Sequence, residues 1–300
     1  MEQILKSYLE HICGKENVEE NVNLSKKTTF KIGGPARWFV TTPTKESLLR
    51  LISTLNYIEQ RWFIIGMGAN ILAHDNGYDG VVIRLGFKEV MDNGCFVYAD
   101  AGASLKKVCT FARENALSGL EFAVGIPSTV GGAVFMNAGA HGGEIGNVVV
   151  MVDVLIDGEV KTLDIRELGF KYRHSIFHSK PYWIILGAYF FLKKCKDKQE
   201  IVAAEQKFLS ARLQSQPTQP SAGSVFKRPS PDFAVGKVVD ELGLKGTQIG
   251  GARISDKHAG FIVNVGDATC EDVLALVKLI RREVKQKHDL YLQTEIQILK

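Results

Sequence analysis

The loop at residues 66–70, GMGAN, has a glycine spacing that suits a phosphate-binding backbone. It follows the apolar run 62–65 and opens like a dinucleotide fingerprint, but the third glycine is missing and residues 71–77 are rich in turn formers. Glycine-permitted N–H groups can still converge on a pyrophosphate without a helix behind them. The loop alone fits a phosphate-binding backbone and a plain strand-ending turn equally well.

A second glycine-rich segment, residues 119–146, contains eight of the 29 glycines of the chain and is otherwise largely apolar. A flexible linker would be polar and would avoid Phe and Val, so this segment is not read as a linker. We expect a buried backbone that passes very close to a flat or bulky group, or that adopts positive φ repeatedly. The alternative is a glycine-rich turn inside an ordinary core.

The spacing of histidines and cysteines in the sequence indicates neither a metal site nor a disulfide framework. His174 and His178 are four residues apart, but no HExxH motif or nearby acidic third ligand accompanies them, so we predict no metal site. The five cysteines are odd in number, scattered and without a CxxC pair, which argues against a disulfide framework and a structural zinc. They are Cys13, Cys95, Cys109, Cys195 and Cys270.

The composition is that of an ordinary globular protein. The 300 residues, 45% of them hydrophobic and 23% charged, suffice for one large or two to three modest domains with a core. A net charge of +4 is too mild to indicate a nucleic-acid surface. The N-terminus does not resemble a signal peptide and no apolar run reaches membrane length, so we expect a cytoplasmic protein without a membrane partner.

Local patterns predict the elements that must position the two glycine-rich segments. A helix at 45–57 with Thr44 as N-cap lies between a strand at 36–42 and a buried strand at 62–65, which gives a β-α-β unit ending at the first loop. Ser104 caps another helix, and Asp157-Gly158 is a strong hairpin signal. The other expected elements are a helix at 2–13 and strands at 81–85, 95–101, 148–156, 160–163 and 182–192.

Composition changes after the strand at 182–192, and the proline-bracketed segment 217–231 is a plausible domain boundary. A helix with a capping-box-like start at Asp197 and Glu200 leads to this segment, which we expect to be an ordered loop. The remaining elements form a compact α+β unit, with helices at 230–242 and 271–287 and strands at 261–265 and 290–299. Alternation along the last strand places Glu295 on its polar face.

Six segments, found in order over almost the whole chain, resemble the MurB reductases, the UDP-N-acetylenolpyruvoylglucosamine reductase family. They are TTFKIGGPA (28–36), GMGANIL (66–72), GIPSTVGGAVFMNAGAHGGEIG (125–146), FKYRHSIF (170–177), PSAGSVFKRP (220–229) and QTEIQIL (293–299). The resemblance implies an α+β fold with a two-lobed FAD-binding domain of the vanillyl-alcohol-oxidase (PCMH) type and a C-terminal α+β substrate-binding domain. The expected division is 1–27 (N-terminal helix and lead-in), 28–90 (FAD-binding lobe 1), 91–195 (lobe 2), 196–215 (connecting helix) and 216–300 (substrate domain).

The family reaction implied is NADPH-dependent reduction of UDP-N-acetylglucosamine enolpyruvate to UDP-N-acetylmuramate in peptidoglycan precursor synthesis. Hydride passes from NADPH to FAD and then to the terminal carbon of the double bond, and the adjacent carbon takes a proton. The resemblance assigns Arg173 to the developing enolate, Ser224 to proton donation and Glu295 to restraint of the intermediate. Tyr172 and Lys227 are expected to bind substrate, Lys227 at the diphosphate.

The resemblance also implies a tightly bound, non-covalent FAD, since neither His74 nor His141 compels a covalent link. Its pyrophosphate would lie on the backbone of Gly66, Met67, Gly68, Ala69, Asn70 and Ile71. Its flavin would be lined by Ile126, Pro127, Ser128, Gly131, Gly132, Asn137, Ala138 and Gly139. The chain departs from the family pattern at Ala69, often serine, at His141, commonly tyrosine, and at His174, commonly acidic. The short interval between Arg173 and Ser224 resembles the family form without the inserted tyrosine-bearing lid.

Two other functions remain open at this point. An FAD-dependent oxidase of a small alcohol or sugar on the same fold would consume oxygen and would not need Ser224 or Glu295. A non-enzymatic nucleotide-binding protein would bind ligand without flavin colour. No feature of the sequence indicates a nucleic-acid partner or an obligate protein partner.

Overall fold

The computed structural model describes residues 2–93 and 96–300, so Cys95 lies outside the described residues. These residues form two compact units, each built from three stretches of chain. Unit 1 comprises residues 1–19, 38–66 and 80–212, and unit 2 comprises residues 20–37, 67–79 and 213–300. The five consecutive segments expected from the sequence stay a prediction.

The described residues form both helices and short strands, consistent with the α+β class. The α-helices are α1 Glu2–Cys13, α2 Lys45–Tyr57, α3 Leu105–Glu114, α4 Val130–Phe135, α5 Lys198–Ser215, α6 Val235–Glu241 and α7 Cys270–His288. The first nine strands are β1 Val18–Asn23, β2 Pro35–Thr42, β3 Trp62–Ile65, β4 Ile71–Ala73, β5 Tyr78–Leu85, β6 Val90–Asn93, β7 Phe96–Asp100, β8 Leu117–Ser118 and β9 Gly139–Ala140. The others are β10 Gly143–Glu144, β11 Val149–Ile156, β12 Glu159–Asp164, β13 Ile184–Phe190, β14 Lys193–Lys194, β15 Gln248–Ile249, β16 Ala252–Ile254, β17 Ile262–Asn264 and β18 Gln297–Leu299.

Unit 1 is organised around a five-stranded antiparallel sheet of order β12-β11-β13-β7-β6. The predicted hairpin joins β11 to β12, and Asp157 and Gly158 both adopt positive φ, of 50° and 85°, as a two-residue hairpin turn requires. Unit 1 also contains the parallel pairing of Trp62–Ile65 with residues 81–84, which is part of a sheet of order β1-β2-β5-β3. The core of the unit fills with Val, Leu and Ile from these strands and from α2 and α3.

The capped helices of unit 1 confirm the predicted signals. Thr44 accepts a hydrogen bond from the Ser47 amide at 3.0 Å at the start of α2, and Ser104 accepts one from the Lys107 amide at 3.2 Å at the start of α3. These side chains satisfy amides that have no partner within the helix. The apolar face of each helix is buried, as expected from its 3.6-residue period.

Unit 2 packs α6 and α7 with the three-stranded sheet β15-β16-β17. Its core includes Phe30, Ile32 and Leu72, all at most 1% exposed and contributed by the two stretches that precede residue 80. Asp75 adds a second cap to α7, because its carboxylate accepts from the Cys270 amide at 2.8 Å. The parallel pair β4–β18 joins residues 71–73 to residues 297–299.

Two predicted elements of unit 2 are wrong in extent. The helix expected from residue 230 is only α6, because the Phe233 amide closes a separate turn on the Ser230 carbonyl at 3.1 Å. The strand expected over 290–299 is reduced to β18, because the chain bends at residues 295–296 before pairing with β4. The bend shifts the alternation, so Ile298 is 43% exposed and Leu299 only 4% exposed, opposite to the predicted faces.

Smaller differences concern individual segments. Strand β3 is half-buried at three of its four positions rather than fully buried. Residues 71–73 form a strand at the start of the stretch 71–77, which was expected to be turn-rich. Other strands that were not predicted are β1, β6, β8, β9, β10, β14, β15 and β16. At the start of α5, Asp197 accepts from the Gln199 amide at 2.9 Å.

Among residues 2–93 and 96–300, no helix combines the length and apolar character needed to span a membrane. The same residues contain no group of three or more His, Cys, Asp or Glu side chains arranged to hold a metal ion.

Candidate functional site

The glycine-rich segment of unit 1 begins with a tight turn and the short helix α4. The Ser128 amide donates to the Ile126 carbonyl at 2.9 Å, and Thr129 caps α4 by accepting from the Gly132 amide at 3.2 Å. Gly131 lies where a Cβ would be 3.1 Å from the Ala101 Cβ. Several of the residues predicted to line the flavin therefore lie in one turn, which packs against the chain directly after strand β7.

The aromatic rings of the protein itself explain two of the glycines in 119–146. A Cβ at Gly143 would lie 2.5 Å from the Phe122 ring, and one at Gly146 would lie 3.1 Å from the Phe170 ring. The expected close approach to a flat group is thus confirmed, although these flat groups are side chains. Positive φ also recurs, at 42° for Asn137 and 51° for His141. The segment is only partly buried, since its most exposed positions are Gly125, Pro127, His141 and Gly142.

The GMGAN loop offers backbone donors in succession. Within the described ranges, the amides of Met67, Gly68 and Ala69 make no hydrogen bond to the protein. Gly68 has φ of 66°, and a Cβ there would lie 2.7 Å from the Lys27 carbonyl oxygen, so only glycine fits. Successive N–H groups around such a residue form an anion-binding concavity, and this set of donors suits a pyrophosphate.

The ends of this loop make different contacts. Gly66 is the last residue of its stretch in unit 1, and a Cβ there would lie 2.6 Å from Thr129 Oγ1. In unit 2, Asn70 Nδ2 donates to the Glu295 carbonyl at 3.0 Å, and the Asn70 carbonyl accepts from the Gln297 amide at 2.9 Å. Ile71 is buried in β4.

Arg173 lies in a tight turn of unit 1. The amides and carbonyls of Lys171 and His174 exchange two hydrogen bonds, each of 3.0 Å, and leave Tyr172 and Arg173 at the tip. Arg173 has φ of 52°, a conformation that side chains other than Gly, Asn and Asp rarely adopt. Its Nη2 donates to the Gly139 carbonyl at 2.7 Å, and its Cζ lies 5.1 Å from the exposed Tyr172 ring centroid.

Two histidines continue from this turn as an aromatic stack. The rings of His174 and His178 have centroids 4.8 Å apart, and the His178 ring lies 4.3 Å from that of Phe135 on α4. Ser175, which is fully buried, donates to the Phe135 carbonyl at 2.6 Å. The predicted lining residues near α4 and the Arg173 turn are therefore held together within unit 1.

In unit 2 the chain brings Ser224 close to Glu295, 71 positions away in the sequence. The Glu295 amide donates to the Val225 carbonyl at 2.8 Å, and the Lys227 amide donates to the Gln293 carbonyl at 2.9 Å. Phe226 pairs with Thr294 in the same antiparallel sense. Ser224, Lys227 and Glu295 are all half-buried. Because Asn70 binds the Glu295 carbonyl, the GMGAN loop adjoins this pair.

The sequence reasoning missed three residues that shape these surfaces. Thr129 caps α4 and forces glycine at position 66, and a Ser-Thr pair before Val-Gly-Gly was an available N-cap signal. For Ser175, no local sequence pattern indicated its hydrogen bond to the Phe135 carbonyl. Arg212 of α5 lies against Gly125, with its Cδ 3.1 Å from the place of a Cβ there, and burial lowers the pKa of its guanidinium.

Comparisons with known proteins agree across the whole chain. A family model described as "UDP-N-acetylenolpyruvoylglucosamine reductase, C-terminal domain" matches residues 216–299, and one described as "FAD binding domain" matches residues 36–164. The chain is 48% identical over 276 residues to a UDP-N-acetylenolpyruvoylglucosamine reductase of Pseudothermotoga lettingae, covering 92% of this chain and 95% of the relative.

A relative of the same name from Bacillus licheniformis is 42% identical over 303 residues, covering 100% of this chain and 99% of the relative. Among solved structures, the MurB reductase of Thermus caldophilus superposes with a TM-score of 0.82 at 37% identity. That superposition covers 94% of this chain and 99% of the Thermus chain.

Proposed function

The chain belongs to the UDP-N-acetylenolpyruvoylglucosamine reductase family of FAD-binding oxidoreductases, and from this premise we propose that it uses NADPH to reduce UDP-N-acetylglucosamine enolpyruvate to UDP-N-acetylmuramate. This reaction would serve peptidoglycan precursor synthesis. A cytoplasmic location is part of the same proposal.

The observation that carries this proposal is the pairing of the Ser224 and Glu295 segments in unit 2. The Glu295 amide binds the Val225 carbonyl at 2.8 Å, so a candidate proton donor and a candidate restraining carboxylate occupy neighbouring backbone positions. An oxidase of simple alcohols has no need of either residue. Their proximity therefore favours reduction of an enolpyruvyl ether, in which one carbon must be protonated.

We propose FAD-binding roles for residues of the GMGAN loop and, separately, for residues of the turn before α4. The amides of residues 67–69, which make no hydrogen bond to the described protein, would hold the pyrophosphate. The flavin would be lined by Ile126, Pro127, Ser128, Gly131, Gly132, Ala138 and Gly139. When bound, FAD supplies a two-electron carrier that accepts hydride from NADPH and delivers it to the terminal carbon of the enolpyruvyl double bond.

The side chains would then manage charge and one proton. The Arg173 guanidinium would stabilise the negative charge that builds on the substrate carboxylate, a contribution of roughly 3–4 kcal/mol by comparison with oxyanion-hole donors. Ser224 Oγ would donate a proton to the carbon next to that carboxylate, and Glu295 would restrain the intermediate by hydrogen bonding. Lys227 would bind the diphosphate and Tyr172 the substrate.

An anaerobic two-step experiment tests the function. NADPH should bleach the visible flavin absorbance of the purified protein, and the enolpyruvyl sugar nucleotide should restore it. Restoration by small alcohol-derived carbonyl compounds or by oxygen alone, and not by the sugar nucleotide, would favour the oxidase. A colourless protein that does not take up added FAD would contradict both enzymes.

A further inference from the structure

We infer that Asn137 is a positioning residue for Arg173: its buried side-chain amide holds the turn that presents the guanidinium. The inference rests on the proposed function only in giving Arg173 a catalytic task. It assigns Asn137 a task other than lining the flavin, which was the expectation from the sequence.

The conformation of Arg173 needs external support. The residue has φ of 52° at the tip of a four-residue turn, in the left-handed region where a side chain crowds its own backbone. Such a conformation persists only where surrounding contacts fix it. The two hydrogen bonds between Lys171 and His174 close the turn, but they do not fix its direction relative to the rest of unit 1.

The Asn137 side chain fixes the orientation of the 171–174 turn within unit 1. It is fully buried, and its Nδ2 donates to the Lys171 carbonyl at 3.1 Å while its Oδ1 accepts from the Gly146 amide at 2.8 Å. Both ends of the amide are therefore bound to the backbone. Gly146 permits this approach, because a Cβ there would lie 3.3 Å from Asn137 Oδ1 and 3.1 Å from the Phe170 ring.

The segment 137–139 and the turn 171–174 are joined by two side-chain hydrogen bonds, one donated by each. Asn137 reaches the carbonyl of Lys171, and Arg173 reaches back to the carbonyl of Gly139 at 2.7 Å. A shift of either segment would stretch both bonds. Ser175 fixes the other end of the turn through its 2.6 Å bond to the Phe135 carbonyl, so Asn137 is the clamp on the side where the chain enters the turn.

Two variants separate this role from a flavin contact. Asn137→Asp keeps an acceptor for Gly146 but loses the donor to Lys171, and Asn137→Gly keeps the backbone freedom that φ of 42° requires while removing both bonds. Each variant is measured for flavin content, for bleaching by NADPH, and for recovery of absorbance with the enolpyruvyl sugar nucleotide. The control for lost stability is Thr42→Val, which removes the 3.4 Å bond of another fully buried side chain in unit 1.

We expect flavin content and bleaching by NADPH to stay within about twofold, while recovery slows roughly 10- to 100-fold, as for other small misplacements of a reacting group. Thr42→Val should recover normally. In an Arg173→Ala background, Asn137→Asp should change recovery by less than about twofold, because residues acting through one contact are not additive.

Three results would overturn the inference. One is normal recovery in both Asn137 variants, and another is an equal loss with and without Arg173. The third is reduced flavin content, which would return Asn137 to the cofactor. A wild-type protein that never recovers its absorbance with the sugar nucleotide overturns the proposed function instead, so the two failures are distinguishable.

Discussion

At Ser224, the backbone is held independently of the hydroxyl. The residue pairs with Phe261, and the next amide, that of Val225, donates to the Gly260 carbonyl at 3.0 Å. Removal of Oγ should therefore leave the fold intact. We predict that Ser224→Ala keeps flavin colour and bleaching by NADPH but loses roughly 10²–10⁴-fold in recovery with the sugar nucleotide, the usual value of general-acid catalysis.

Stopped-flow absorbance of both half-reactions measures this directly, with the exposed Ser230→Ala as the matched serine control. Recovery in Ser224→Ala at the rate of the wild type would remove the proton-donor role. A loss of bleaching by NADPH would instead move Ser224 to the cofactor side of the reaction.

The residue types suggested which residues lie near the cofactor, but they did not reveal the hydrogen-bond partners of those side chains. The family resemblance implies that Asn70 and Asn137 lie at the cofactor, and it does not indicate that their side-chain amides donate to the carbonyls of Glu295 and Lys171. The amide donors suited to a pyrophosphate are backbone groups of residues 67–69, which lie within the backbone stretch 66–71 that the resemblance assigns to the pyrophosphate. Whether these backbone amides lack a hydrogen-bond partner depends on how the rest of the chain folds around them. The amino-acid sequence does not show this directly.

The cysteines give a pH-dependent prediction. Burial raises the pKa of the Cys13 and Cys270 thiols to about 11 and that of Cys109 to about 12, so at pH 8 roughly one molecule in a thousand or fewer carries the reactive thiolate at each. Cys195 is only half-buried. We predict that iodoacetamide modifies Cys195 first among these four, and that modification of the other three rises with pH because the thiolate fraction rises.

Peptide mass spectrometry after timed labelling at pH 7, 8 and 9 resolves each thiol. Labelling in mild denaturant is the control, since unfolding should return all four to similar rates. Rapid labelling of Cys109 in the native protein at pH 7 would contradict the burial that raises its pKa.

Among the elements, those set by local signals were predicted and those set by distant partners were not. The helices α2 and α3 start at capping residues that precede a 3.6-residue apolar period, and the Asp157-Gly158 turn fixes its own hairpin. The C-terminal strand failed because its pairing with residues 71–73 and the bend before it depend on chain more than 200 positions away. Hydrophobic periodicity depends only on neighbouring residues, so it cannot reveal a pairing partner that is distant in the sequence.

Helix α5 is attached to unit 1 by a buried charge. Glu205 is 6% exposed and accepts from Arg113 Nη1 at 2.7 Å, an interaction that raises the pKa of the arginine. The arginine side chain itself is 33% exposed, so solvent screens part of the attraction. We predict that Glu205→Gln lowers the free energy of unfolding by about 1–3 kcal/mol, as for a charge-assisted hydrogen bond.

Urea unfolding of Glu205→Gln is compared with Glu241→Gln, whose pair with Lys237 at 3.7 Å is exposed on both sides. The exposed pair should contribute less than about 1 kcal/mol. Equal losses in the two variants would show that the burial of Glu205 adds nothing to the attachment of α5.

At the scale of the whole molecule, the family boundary and the structural unit do not coincide. The C-terminal family model covers residues 216–299, whereas unit 2 also contains residues 20–37 and 67–79. These two stretches carry no composition shift that would mark them as part of a later domain. A sequence analysis that divides a chain into consecutive segments cannot find such a unit, because its core is assembled from segments that are far apart.

The discontinuous core predicts how the C-terminal part behaves alone. A fragment of residues 216–300 lacks Phe30, Ile32 and Leu72 from its core, and it lacks the strand that pairs with β18. It also lacks the Asp75 carboxylate at the start of α7. We predict that this fragment shows no cooperative urea transition, because both apolar burial and backbone pairing are missing.

The full chain provides the matched measurement. Leu72→Ala, at a fully buried position, should destabilise by about 2–5 kcal/mol, and Ile298→Ala, at a position 43% exposed, should cost clearly less. The two residues lie on the paired strands β4 and β18, so the contrast isolates burial in the unit 2 core from strand pairing. A fragment with native-like near-ultraviolet circular dichroism and a cooperative transition, together with a neutral Leu72→Ala, would mean that residues 216–300 complete their core without the earlier chain.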